Sequence, residues 1–137
     1  MKVAQGVCLV ALLPTMAGAA GLQKFDGAWR VTVDCAEASD GARGYHWSFP
    51  VQVRGSVMRG QRGTPGAINS ATISGRIGPD GAALLSVSGR TGDPDYSVGR
   101  VAAGYPFHFT ATAHFDERSG SGKRNELRPC DLSFVKE

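Results

Sequence analysis

Lysine is scarce in this chain, four residues against eleven arginines, and the formal charge is only +3. That balance lacks the basic footprint of a dedicated nucleic-acid binder. No apolar run reaches the ~20 residues that a membrane-spanning helix needs. Beyond the N-terminus, no stretch of ten residues keeps a 3.6-residue hydrophobic period, which excludes helices as the main element. Only three cysteines and three histidines occur, and no histidine lies within five residues of Cys35 or Cys130. A metal centre built on those thiols would therefore lack ligands. A Gly-x-Ser-x-Gly elbow is also missing. What is plentiful is glycine: 19 Gly and 7 Pro in 137 residues. Together they stay below the roughly 25–30% that marks a low-complexity chain. The length suits one domain.

Residues 1–19 read as a secretory signal peptide. Lys2 supplies a positive start, Val3 to Met16 is mostly apolar, and Ala17-Gly18-Ala19 offers small residues ahead of a cut before Ala20. Residues 20–137 then form the mature domain, with 14 basic and 12 acidic residues and a net charge of +2. Cleavage also removes Cys8 and leaves Cys35 and Cys130 as the only cysteines. In the periplasm or outside the cell, a disulfide between them is the economical pairing.

The mature chain alternates. Trp29, Val31, Val33 and Cys35 share one face of a strand. Tyr45, Trp47, Phe49, Val51 and Val53 share one face of another, as do Phe107, Phe109, Ala111, Ala113 and Phe115. Eight strands are expected, near 28–35, 45–53, 56–62, 70–77, 83–90, 96–101, 105–116 and 127–135. The run from Glu117 to Lys123 reads as a loose loop. One hairpin can be registered from its letters: Pro79-Asp80-Gly81 suits a type I turn followed by a left-handed residue, which pairs Ile77 with Ala83 and Ile73 with Val87. A one-residue slip would mix the faces.

If Cys35 and Cys130 are directly opposed on antiparallel strands, Val33 meets Leu132, Val31 meets Phe134 and Trp29 meets Lys136. Apolar residues then oppose apolar ones, and the first and last strands become neighbours. The expected fold is thus all-β, a single antiparallel meander closed into a small barrel, which leaves no exposed edges. A β-sandwich pinned by Cys35, Trp47 and Cys130 is the alternative, but Arg128-Pro129-Cys130 lacks the tyrosine two places before the cysteine.

Phe25-Asp26-Gly27-Ala28-Trp29 resembles the Gly-x-Trp opening of the calycin families, the lipocalins and avidins. That resemblance implies a basic residue from the chain's end lying over Trp29, with Lys136 in the first place and Arg128 in the second. The chain as a whole resembles small uncharacterised secreted proteins of Gram-negative bacteria, which implies no activity.

Candidate chemistry is thin. Ser119-Gly120-Ser121-Gly122-Lys123-Arg124 looks like a phosphate loop but has Glu at 117 and Arg at 124 where Gly and Ser or Thr belong. Asp93-Pro94-Asp95 invites calcium, yet the rest of a calcium loop is missing. His46, His108 and His114 suit an exposed rim, and Arg43, Arg54, Arg59, Arg62, Arg76, Arg90 and Arg100 a solvated outer face. No cofactor or metal is expected, and catalysis is the lesser reading. The ambiguous set is aromatic: Trp29, Tyr45, Trp47, Phe49, Phe107, Phe109 and Phe115 either fill the barrel or line a ligand site. Small inward residues at Ala71, Gly75, Gly89, Ala111 and Ala113 would leave room. The leading expectation is an exported barrel holding a small apolar or aromatic ligand. Its rival is a protein-interaction module, such as an inhibitor of an envelope or host enzyme, with a filled barrel and ordered loops at 36–44, 61–67 and 91–96.

Overall fold

A computed structural model describes residues 23–137, together with Val3, Gly6, Val10 and Ala11. Apart from those four positions, the signal-peptide reading of 1–19 lies outside the described residues. Eight strands run in chain order around one closed antiparallel barrel. They are β1 (Gly27–Cys35), β2 (Tyr45–Arg54), β3 (Val57–Arg62), β4 (Ser70–Ile77), β5 (Ala82–Arg90), β6 (Pro106–Phe115), β7 (Ser119–Arg124) and β8 (Cys130–Lys136). Among the described residues, no helix is long and apolar enough to cross a membrane.

Closure follows the register that the apolar pattern favours. β1 pairs with β8 as Trp29↔Lys136, Val31↔Phe134, Val33↔Leu132 and Cys35↔Cys130, and the two cysteines form a disulfide. The hairpin between β4 and β5 also has its expected register, with Ile77 opposite Ala83 and Ile73 opposite Val87. Asp80 accepts a hydrogen bond from the Ala82 amide, and Gly81 adopts a φ of 90°. A Cβ at Gly81 would also run into the Phe115 carbonyl. Gly81→Ala should therefore lose at least about 1–2 kcal/mol of unfolding free energy. A urea midpoint unchanged from the parent would refute this account of the turn.

Two elements differ from the sequence expectation. Residues 96–101 are not a strand: Pro94–Tyr96 and Val98–Arg100 form short 3-10 turns, with Asp93 capping the first and both Gly99 and Arg100 at positive φ, 76° and 51°. The missing eighth strand is β7, in the segment expected to be a loose loop. Its inward positions are Gly120, Gly122 and Arg124. Both glycines are demanded by their neighbours, because a Cβ at Gly120 would lie 2.6 Å from the Phe115 ring and one at Gly122 2.8 Å from Ala113. β7 carries no apolar side chain because the inner space it would fill is already taken by β6.

The two ends of the barrel are unlike. At one end the strands are joined by short turns, Gly55-Ser56, 78–81 and 116–118. There Phe25 folds under the barrel as a plug, accepting a hydrogen bond from the Trp29 indole N–H at 2.8 Å. Trp29 meets the Phe115 ring edge-on, with centroids 5.6 Å apart, and Phe115 meets Phe134 at 4.7 Å. The Lys136 ammonium stands 5.9 Å from the Trp29 ring centre and donates to the Lys24 carbonyl. Lys136, not Arg128, is thus the cation over the tryptophan. Gly27 makes room for it, since a Cβ there would lie 3.0 Å from the lysine Cε. At the other end the connections are long: 36–44, 63–69, 91–105 and 125–129.

Candidate functional site

The long connections build a mouth over a pocket of about 460 Å³. Its inner wall comes from the open-end turns of β2 and β6: Tyr45, Trp47 and Phe107 point inward and are only half-buried. Tyr45 and Trp47 are 4.7 Å apart between ring centres, and Trp47 and Phe107 are 6.4 Å apart. Much of the facing wall is the 91–105 connection, including Tyr96, Val98, Val101 and Tyr105.

Room for the pocket comes from small residues at the same level. Inward positions pair as Arg62↔Ala71, Ala71↔Gly89 and Gly89↔Phe107, so two of the four carry little or no side chain. Gly89 cannot be enlarged, because a Cβ there would overlap the Ser70 carbonyl. The β2–β3 ladder also ends at Val51↔Gly60, just below Pro50, which has no N–H to continue it. Deeper down the barrel is packed. Trp29, Phe49, Phe109 and Phe115 are all buried there and do not line the pocket.

Three arginines project into this aromatic layer. Arg62 ends β3 on the inward parity of Met58 and Gly60, and Arg124 ends β7 on that of Gly120 and Gly122. Arg62 therefore belongs to the interior, not to the outer basic face expected for it: the barrel is unfilled at this level, so an inward cation meets aromatic faces and not packed aliphatics. The Arg62 guanidinium lies 4.5 Å from the centre of the Trp47 ring and that of Arg124 lies 4.1 Å from the centre of Phe109. Arg128 stands 5.1 Å from the centre of Tyr45. Such stacking compensates only part of the cost of removing a cation from water. Burial accordingly holds the pKa of the Arg62 and Arg124 guanidiniums below its ordinary value, though arginine stays protonated in proteins.

Arg128 has a structural task. Only 3% exposed, it donates to the carbonyls of Tyr96, Ala36 and Arg43 at 2.9, 2.5 and 2.8 Å. It thus ties the 36–44 and 91–105 connections into one rim. The Arg43 amide reinforces the tie by donating to the Asp95 carbonyl, and the Gly99 amide by donating to Asp40. Those contacts to Gly99 and Ala42 hold the Asp40 carboxyl below its usual range.

All three cations act on the Tyr45 phenol, and Arg124 also hydrogen-bonds to it. Burial pushes its phenol above the ordinary tyrosine value, against the opposing pull of Arg124, Arg128 and Arg62. It is consequently a neutral hydrogen-bond donor at physiological pH. Of the acids nearby, Glu126 is held by the hydroxyl and amide of Thr110, which lowers its carboxyl. Asp93 accepts from the Asp95 amide.

Other sequence candidates fall elsewhere. His46, His108 and His114 are exposed, and of these only His108 borders the pocket. Asp95 pairs with Arg100, and no cluster of metal-ligating side chains occurs among the described residues. The Ser119–Arg124 segment is a strand with no helix after it, so it cannot act as a phosphate loop. The inward arginines are detectable only through parity: Arg62 within the strand expected near 56–62, and Arg124 only once Ser119–Arg124 is recognised as a strand. No known family, curated protein or solved structure matches the chain.

Proposed function

We propose that this protein is an exported, calycin-like barrel that binds a small apolar or aromatic molecule without chemistry. The observation that carries the reading is the pocket of about 460 Å³ at one end of an otherwise filled barrel. That volume lies within the roughly 300–1,000 Å³ of small-molecule sites. Half-buried aromatic side chains with a few polar groups are the lining such sites use. The disulfide and the Lys2-to-Ala19 leader pattern support export to the periplasm or beyond. The Gly27-Ala28-Trp29 opening with Lys136 above the indole supports the calycin likeness. The rival reading, a protein-interaction module, finds support in the ordered rim loops but calls for a filled barrel.

The test is a titration with the neutral fluorophore N-phenyl-1-naphthylamine. Saturable one-to-one binding is expected, weakened about tenfold or more by Trp47→Ala, since burying an aromatic face contributes roughly 1.5–3 kcal/mol. Emission that never saturates, or that ignores the Trp47 substitution, would remove the ligand reading.

A further inference from the structure

Charge in the pocket is one-sided. Arg62, Arg124 and Arg128 line it, against a single lining carboxylate, Asp93. The ion pairs among the described residues are Arg30–Glu137, Arg100–Asp95 and Lys123–Asp131, and none involves a pocket arginine. Glu126 lies near Arg124 but is bonded to Thr110, while Arg124 donates its Nε–H to the Glu126 carbonyl and not to the carboxylate. Arg62 donates through Nη1 to the Asn69 backbone and side-chain oxygens. The buried Nε–H of Arg128 has no acceptor at all. Partly desolvated cations without a counter-charge are costly to the folded state, and they persist where an anion is to be received.

Resting on the small-ligand reading above, we propose that the pocket selects an organic carboxylate: a flat apolar body against Trp47 and Phe107, with its anionic group between Arg62, Arg124 and the Tyr45 hydroxyl. Guanidinium forks match a planar carboxylate, and a protonated phenol adds a third donor. The rim adds apolar surface for a body longer than the pocket, since Tyr105 and Leu127 both line it and remain exposed. Arg128 holds the rim loops in place and adds long-range positive potential. Arg62 and Arg124 are the recognition pair.

A matched pair of probes tests this on the intact protein: 2-naphthoate and its neutral isostere 2-naphthamide, followed by tryptophan fluorescence and calorimetry. The carboxylate should bind at least about tenfold tighter than the amide, because charge-assisted hydrogen bonds form only with the anion. The preference should shrink as salt is raised. Arg124→Gln and Arg62→Gln should each weaken the carboxylate far more than the amide, and so remove most of the preference. Equal affinity of the two probes for the parent protein would overturn the carboxylate assignment and leave the aromatic site standing. That comparison needs no variant to fold. Failure of both probes, together with failure of the neutral fluorophore, would overturn the small-ligand reading and this one with it.

Discussion

Trp29→Ala is expected to cost about 3–5 kcal/mol, the range for emptying a buried indole site. Trp29 has no exposed surface and sits among Phe25, Phe115 and the Lys136 ammonium, with its N–H on the Phe25 carbonyl. Alanine would leave a void that the surrounding strands cannot collapse, because each is bonded on both sides. It would also orphan the Phe25 carbonyl and loosen the plug. Small domains hold only about 5–15 kcal/mol in total, so this one change consumes a large share. Trp47→Ala at the mouth, where the side chain is half-buried, should cost far less. Urea unfolding monitored by circular dichroism checks both. A larger loss at Trp47 than at Trp29 would reverse the assignment of the packed end and the open end.

The second large effect belongs to the disulfide. Cys35 and Cys130 are 95 residues apart in sequence, and a crosslink over so long a loop stabilises by about 4–5 kcal/mol in the chain-entropy description. Cys35→Ser combined with Cys130→Ser should lower the stability by that amount, and reduction of the parent should do the same. The loss should fall unevenly. The bond closes β1 onto β8 at the mouth, beside Tyr45 and two residues from Arg128. Hydrogen exchange should therefore rise first in the rim loops, and last around Trp29. Intact mass under non-reducing conditions should be two hydrogen atoms below the dithiol mass. Two alkylatable thiols in protein recovered from the cell envelope would count against both the export and the crosslink.

Much of the fold was legible because each signal was local or self-checking. Period-2 alternation located β1, β2 and β6. Gly81 pinned one hairpin, and the opposition of Cys35 to Cys130 aligned Val31 with Phe134 and so closed the sheet. β7 escaped because its own letters hold no apolar signal. The reason it is a strand lies in Phe115 and Ala113 on its neighbour. Residues 96–101 looked like a strand for the opposite reason: Tyr96, Val98 and Val101 are apolar toward a pocket wall, not toward a sheet. The aromatic candidates were found but could not be divided from sequence. Whether an inward ring is packed or accessible depends on the length of the loops above it and on the plug below. Arg62 and Arg124 were missed because charge is ordinarily a mark of the outer face, a rule that fails where a barrel layer is left open.

The plug has a bearing on how the protein can be handled. β1 starts and β8 finishes at the closed end, where Trp29 opposes Lys136. Both ends of the folded domain therefore leave on the side away from the mouth. A tether, label or fused domain attached after Glu137 would hang beneath the barrel and leave the arginine-lined entrance facing free solution. Surface immobilisation through that end should give the same affinities as measurements on the untethered protein.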